Sequence, residues 1–153
     1  MKKSWIKRGS KGLSKVGKSE TTLVKIRIQA LLRQIVMVRD GGCLLRDDFR
    51  AGECGGYRKD GELILQADHL HSRVNNISFG DSRLVVCLCK RHHGYFKPQY
   101  PMVYYELIRQ KIGQERWDLL QKVSADKKPY PMGAHDWGVV ELALKQELKN
   151  LST

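Results

Sequence analysis

Leu65-Gln-Ala-Asp-His-Leu-His-Ser-Arg73 and Val85-Val-Cys-Leu-Cys-Lys-Arg-His-His-Gly-Tyr-Phe-Lys97 are the two runs whose reading decides the fold. Four of the five histidines and two of the four cysteines fall in them, together with Asp68. Leu63-Ile64-Leu65 and Leu84-Val85-Val86 are short apolar, partly β-branched runs on either side of a polar loop from Ser72 to Ser82, and they predict a small antiparallel hairpin. Lys90 to Phe96 has helix-compatible composition, and Pro98 is expected to end it. Strand, loop, strand, helix is the order a small metal-stiffened finger needs. One hairpin and one helix bury too little apolar surface to hold themselves rigid.

Zinc takes four tetrahedral ligands drawn from thiolate and imidazole, and two ligands three apart can chelate from one knuckle or first helical turn. Cys89-Lys-Arg-His92 has that spacing, and Cys43 and Cys54 can close the site from the preceding loop. Cys87 competes with Cys89, because residues two apart on a strand point to the same face. The spacing to His92 favours Cys89 and leaves Cys87 as a buried thiol. Cys87-Leu-Cys89 is too closely spaced for the usual C-x-x-C of a thiol redox protein.

The remaining polar residues suit phosphodiester hydrolysis, which needs an activated water, a cation near the leaving oxygen and groups that hold the phosphate. His69 is the candidate general base, since imidazole titrates close to neutrality. Asp68, a hard oxygen ligand, and His93 are candidate ligands for a catalytic divalent ion. Asp68 and His69 can flank one phosphate only if the strand ends there and turns, which Ser72, Asn75, Asn76 and Gly80 favour. His71 and Arg73 then lie near the phosphate, Arg73 suited to a bidentate contact.

The bulk composition agrees with an anionic partner. The chain has 153 residues, enough for one domain with its own core, and Lys+Arg 28 against Asp+Glu 16 leaves a net charge of +12. DNA is the expected partner; no apolar run approaches the ~18 residues of a membrane span, and no oligomeric state is legible. Met1 to Lys18 is polar and basic, without the apolar middle of an export signal, so a cytoplasmic location is expected. In that reducing compartment the cysteines are expected as metal ligands or thiols rather than disulfides. Lys2, Lys3, Lys7, Arg8 and Lys11 interleave with Gly and Ser to form a basic arm suited to phosphates rather than bases. Lys97 is a further candidate nucleic-acid contact.

Three segments follow: an arm over residues 1–20, a metal-finger core with its preceding helix over 21–100, and a helical extension over 101–153. In the core, Val24, Ile28, Leu31, Leu32, Ile35 and Val38 recur at helical spacing between the capping residues Ser19 to Thr22 and the Gly41-Gly42 stop, predicting a helix from Thr22 to about Arg39. Cys43 to Gly61 is loop-like. In the extension, Pro101 to Ile112, Gln114 to Val123 and Trp137 to Leu148 read as helices, with a break at Lys127 to Gly133. The fold class is α+β.

Gln66-Ala67-Asp68-His69-Leu-His71-Ser72-Arg73, Asp81-Ser-Arg83 and Cys89-Lys-Arg-His92-His93 resemble the HNH endonucleases of the His-Me finger class, and within it the NinG/Rap recombination nucleases of lambdoid phages. The similarity continues through Tyr105 to Leu120 and covers roughly Val38 to Leu148. It implies a ββα-metal active site in a phage or prophage DNA endonuclease acting in recombination or on branched DNA. His69 is then the general base, Asp68 and His93 bind Mg²⁺, Mn²⁺ or a similar ion, and a separate zinc is structural. The family's middle asparagine, which steadies the loop holding the base, falls at Leu84; Asn75 and Asn76 are the substitutes at hand. His92 stands where many relatives carry cysteine, and the first knuckle is stretched to Cys43 and Cys54. The rival expectation is a zinc-finger DNA-binding protein with a decayed nuclease site, which Leu84 favours.

Overall fold

The computed structural model describes residues 19–153; the basic arm with Lys2, Lys3, Lys7, Arg8 and Lys11 lies outside them. Ser19 opens the first helix: its Oγ accepts a hydrogen bond from the Thr22 N–H at 3.3 Å, and Glu20 places negative charge at the positive end of the helix dipole. This helix, α1 (Glu20–Asp40), stops where Gly41 adopts a left-handed φ of 62°. Its buried face is Val24, Ile28, Leu32, Ile35 and Val36. Val38, expected in that stripe, is 50% exposed. Steps of four from Val24 through Ile28 and Leu32 arrive at Val36 instead.

The two strands are β1 (Leu65–His69) and β2 (Val85–Cys89), antiparallel, with Leu65 opposite Cys89 and His69 opposite Val85. The hairpin is therefore displaced from the expected runs. Leu63 makes an isolated bridge to Tyr57, and Leu84 belongs to a 3-10 turn, Ser82–Leu84, in which the Asp81 carboxylate accepts the Arg83 N–H at 3.0 Å. Every residue of β2 is buried, because both faces are covered. Val85 and Cys87 pack with α1 and Trp137, whereas Val86 and Leu88 pack with Leu70, Tyr104 and Leu107.

The long connection from β1 to β2 contains a one-turn helix that the composition did not announce, α2 (Asn76–Phe79). Asn75 caps it, its Oδ1 accepting N–H bonds from Ile77 at 2.8 Å and Ser78 at 3.4 Å. After β2 the chain turns at once into helix, with His92–Phe96 in a π-helical turn that runs into α3 (Lys97–Gln99). Pro98 does not end the helical stretch, in contrast to the expectation. It sits in the first turn of α3, where a missing N–H is tolerated, and the chain continues to Tyr100, whose N–H bonds Phe96 O at 2.9 Å.

Three further helices follow: α4 (Pro101–Ile112), α5 (Gln114–Ala125) and α6 (Ala134–Leu151). Gly113, with φ of 82°, separates α4 from α5. α6 returns against α1, where the Arg27 guanidinium meets the Glu141 carboxylate at 3.0 Å and Lys145 reaches its other oxygen at 2.8 Å. Among the described residues the architecture is α+β, with six α-helices and a two-stranded antiparallel sheet between two apolar clusters. Among the described residues no helix is long and apolar enough to cross a membrane.

Candidate functional site

The stretched loop before β1 folds back on itself. The Gly41-Gly42 turn delivers Cys43, and the Leu44 N–H then bonds Cys87 O at 2.8 Å, pinning the segment to β2. Turns closed by Ala51 N–H to Asp48 O and Gly52 N–H to Phe49 O reverse the chain. The Arg91 N–H to Gly55 O bond at 3.1 Å then sets Cys54 beside the start of the π-helical turn. As a result the ligating atoms of Cys43, Cys54, Cys89 and His92 all lie within 4.8 Å of one another.

The donor chemistry of this cluster fits a structural metal such as zinc. Bonds of ~2.3 Å to sulfur and ~2.0 Å to nitrogen make tetrahedral edges of roughly 3.5–3.8 Å, within the spacing observed. The imidazole of His92 is oriented for the purpose: Nδ1 lies 3.2 Å from Cys43 Sγ, while Nε2 lies 3.1 Å from both Ala51 O and Gly52 O. The carbonyls select the Nε2–H tautomer and aim the Nδ1 lone pair into the cluster. Burial holds His92 below its ordinary pKa, against the pull of those carbonyls, and so keeps it neutral. Burial raises the Cys43 thiol, and burial with the neighbouring Cys43 and Cys89 raises Cys54. Cys89 is also pushed upward by burial, but hydrogen bonds from the Gly55 and His92 N–H groups and from the Cys54 and Cys43 thiols outweigh it and leave the thiol lowered.

Cys87 stands apart from the four. It packs with Val85 under α1, its own N–H bonded to Asp40 Oδ2 at 2.8 Å, and burial pushes its thiol up to about 12. Cys89 escapes strict alternation because it is the last strand residue, and the chain turns at Lys90.

On the other side of the π-helical turn lies a polar pocket of about 330 Å³ whose lining includes Asp68, His69, His71, Arg73, His93 and Lys97. Neighbours on a helix diverge by ~100°, so His92 enters the thiol cluster while His93 faces this pocket. β1 ends at His69, and Asp68 and His69 share the cavity in spite of being adjacent.

Asp68 is 1% exposed and heavily partnered. Lys97 Nζ donates to its two oxygens at 2.7 and 2.9 Å, and Tyr104 donates its hydroxyl to Oδ2. Burial alone raises this carboxyl; the close approach of His93, the Lys97 charge and the bonds from Lys97 and Tyr104 reverse that and hold it below the usual carboxylate range. His93 Nδ1 approaches Asp68 Oδ1 to 2.9 Å, yet the angle is too far off line for a hydrogen bond. Lys97, expected as a nucleic-acid contact, thus has its ammonium on Asp68.

His69 stacks on Phe79, with centroids 5.9 Å apart, and its Nε2 lies 3.2 Å from Phe79 O. An Nε2–H donated to that carbonyl leaves the lone pair on Nδ1. Burial, followed by the charges of Arg73 and Lys97, lowers its pKa against the opposing pull of Phe79 O and Asp68. His71 has Nε2 at 3.4 Å from Asn75 Nδ2 and Nδ1 at 3.5 Å from Ser124 Oγ, and Arg73 is exposed at the mouth.

Tyr104, the Phe79 carbonyl and the ion-pairing of Lys97 were absent from the expected site. The Asn75 cap was the local signal for α2, but no pattern along the chain announces that its last carbonyl meets His69. Leu84, at the position of the family's asparagine, is fully buried in the core. A larger apolar groove, about 480 Å³ between α6 and residues 80–83, holds no comparable cluster; its Glu147 accepts the Ser82 hydroxyl at 2.7 Å. No protein-family model, curated protein or solved structure matches this chain.

Proposed function

We propose that the protein is a divalent-metal-dependent DNA endonuclease of the HNH type, in which a zinc ion on Cys43, Cys54, Cys89 and His92 holds a ββα-metal finger together. One observation carries the reading: the short, off-line approach of His93 Nδ1 to Asp68 Oδ1 at 2.9 Å, beside an anchored His69. Two ligands on adjacent corners of an octahedral ion with bonds of ~2.1 Å stand ~3 Å apart. A carboxylate oxygen and an imidazole nitrogen at this spacing fit Mg²⁺ or Mn²⁺ chemistry. When bound there, such an ion supplies positive charge for the phosphate and the leaving oxygen.

The chain's own residues supply the rest. His69 Nδ1 takes a proton from water as its oxygen forms a bond to phosphorus; the P–O bond to the leaving oxygen breaks, and that oxygen takes up a proton. Phe79 O fixes the imidazole so that Nδ1 stays unprotonated and available. Arg73, at the mouth, holds the non-bridging oxygens, and Tyr104 anchors Asp68 through Oδ2, while Oδ1 is the oxygen beside His93. The phage origin and a role in recombination or on branched DNA belong to this proposal and rest on the sequence resemblance.

A second reading, a zinc-finger DNA-binding protein that no longer cleaves, is favoured by the ammonium of Lys97 on both oxygens of Asp68 and by leucine at position 84. Incubating the full chain with supercoiled, linear and branched DNA, with and without Mg²⁺ or Mn²⁺, decides between them. Ion-dependent cleavage that falls ~10²- to 10⁴-fold in His69→Ala is the expected result for a general base. Binding without cleavage supports the rival, and full cleavage by His69→Ala overturns the mechanism.

A further inference from the structure

The polar pocket does not end at its own walls. A groove of about 300 Å³ shares Ala67, His69, Arg73 and His93 with it and reaches Gln29 and Arg33 on α1. A second, of about 530 Å³, shares His71 and Ser72 and runs between Val74–Asn76 and the segment 126–131 that joins α5 to α6. The three adjoin through these shared residues and line up as a trough, with His69 between its ends. Among the described residues, Gln66 Oε1 and His93 Nδ1 are buried with no hydrogen-bond partner, and both residues line the Arg33 end.

Charge and anchoring fit an extended polyanion. Arg33 and Arg73 are exposed on one side of His71, and Lys127 and Lys128 on the other. The far wall is held in place: Asn76 Nδ2 donates to Tyr130 O at 2.6 Å, and the Tyr130 hydroxyl donates to Asp126 Oδ2 at 2.6 Å. Asp126 is the one carboxylate among the residues lining that groove, and its other oxygen accepts the Lys128 N–H at 2.9 Å. The negative C-terminal end of α5 also faces this way, and Lys127 Nζ covers Ser124 O at 2.9 Å. The balance is positive at both ends of the trough.

Building on the DNA-cleaving reading, we infer that the cut DNA strand lies along this whole trough, with Lys127 and Lys128 seating phosphates on the far side of His71 from Arg33. The contact is to backbone, so it adds affinity and salt dependence without reading sequence. It gives the linker between α5 and α6 a binding role outside the metal-finger motif.

The test is fluorescence anisotropy of the full chain with a labelled duplex of about twenty base pairs, without added divalent ion, between about 50 and about 200 mM salt. Lys127→Ala/Lys128→Ala should lower the slope of log K against log salt by about 2, at roughly 0.9 per phosphate released. Lys127→Arg/Lys128→Arg should keep the parental slope. Lys111→Ala/Lys149→Ala, which removes the same charge outside the trough, should also leave it unchanged. An unchanged slope in the first variant, or an equal fall in the Lys111 and Lys149 control, overturns the inference while leaving the nuclease reading intact. Parental protein that binds no DNA overturns both.

Discussion

Replacing Cys89 with alanine should dismantle half of the protein, whereas replacing Cys87 should lower its stability only modestly. Both thiols are buried on the same strand, so loss of apolar contact is similar in the two cases. Removing one buried sulfur from a packed core costs about 1–2 kcal/mol by analogy with other small core deletions. For a chain of this size that lowers the melting temperature by roughly 2–8 °C. Cys89 carries a second cost, because it is a member of the Cys43, Cys54 and His92 cluster. The loop over residues 41–56 buries little besides Cys43, Leu45 and Ala51, so apolar contacts hold it weakly, and a metal on the cluster would add its bonds to the Leu44 N–H to Cys87 O bond that joins it to β2. Structural zinc supplies ~10–16 kcal/mol in small fingers, comparable with the ~5–15 kcal/mol of an entire domain. Cys89→Ala should therefore lose the metal and its cooperative melting of this half, while the α1–α6 pairing around Trp137 retains helix. Metal content per chain by mass spectrometry, with thermal melts by circular dichroism, measures both effects. Retention of stoichiometric zinc by Cys89→Ala, or its loss from Cys87→Ala, refutes the reasoning. Zinc uptake should also release protons from Cys43 and Cys54, whose raised thiols are protonated near neutral pH, and so weaken as pH falls.

Asn75→Ala should remove the cap of α2, costing about 1 kcal/mol, and loosen the Phe79 carbonyl that holds His69. Nitrogen chemical shifts of the His69 ring should move from a pure Nε2–H tautomer toward a mixture, whereas Asn75→Asp, which keeps the acceptor, should not change them. Identical tautomer populations in Asn75→Ala and the parent count against this arrangement. Glu141, held at about 2 by Arg27 and Lys145, is depressed from an ordinary value of 4.5. Its contribution to stability is therefore complete above that ordinary value and disappears as pH falls through the window to about 2. The gap in melting temperature between parent and Glu141→Gln should close over this window; a gap that stays constant there rules out the ion pair as its source.

Much of this molecule is written in local pattern. Ser19 and Gly41 bracket α1, Pro101 and Gly113 bracket α4, and the three-residue spacing of Cys89 and His92 marks one half of the candidate metal cluster, because capping, backbone restriction and chelation act over a few residues. What tertiary structure alone decided involves partners far apart in the chain. Packing turned Cys87 toward α1 and ended β2 at Cys89, a choice that alternation by itself left open. Packing also brought Lys97 and Tyr104 onto Asp68 and set Phe79 O against His69. Buried charge and a polar ring nitrogen each require a partner, but which partner reaches them depends on how β1, α2 and α4 meet. The trough joining Arg33 to Lys128 is wholly of this second kind, assembled from α1, the loop after β1 and the α5–α6 linker.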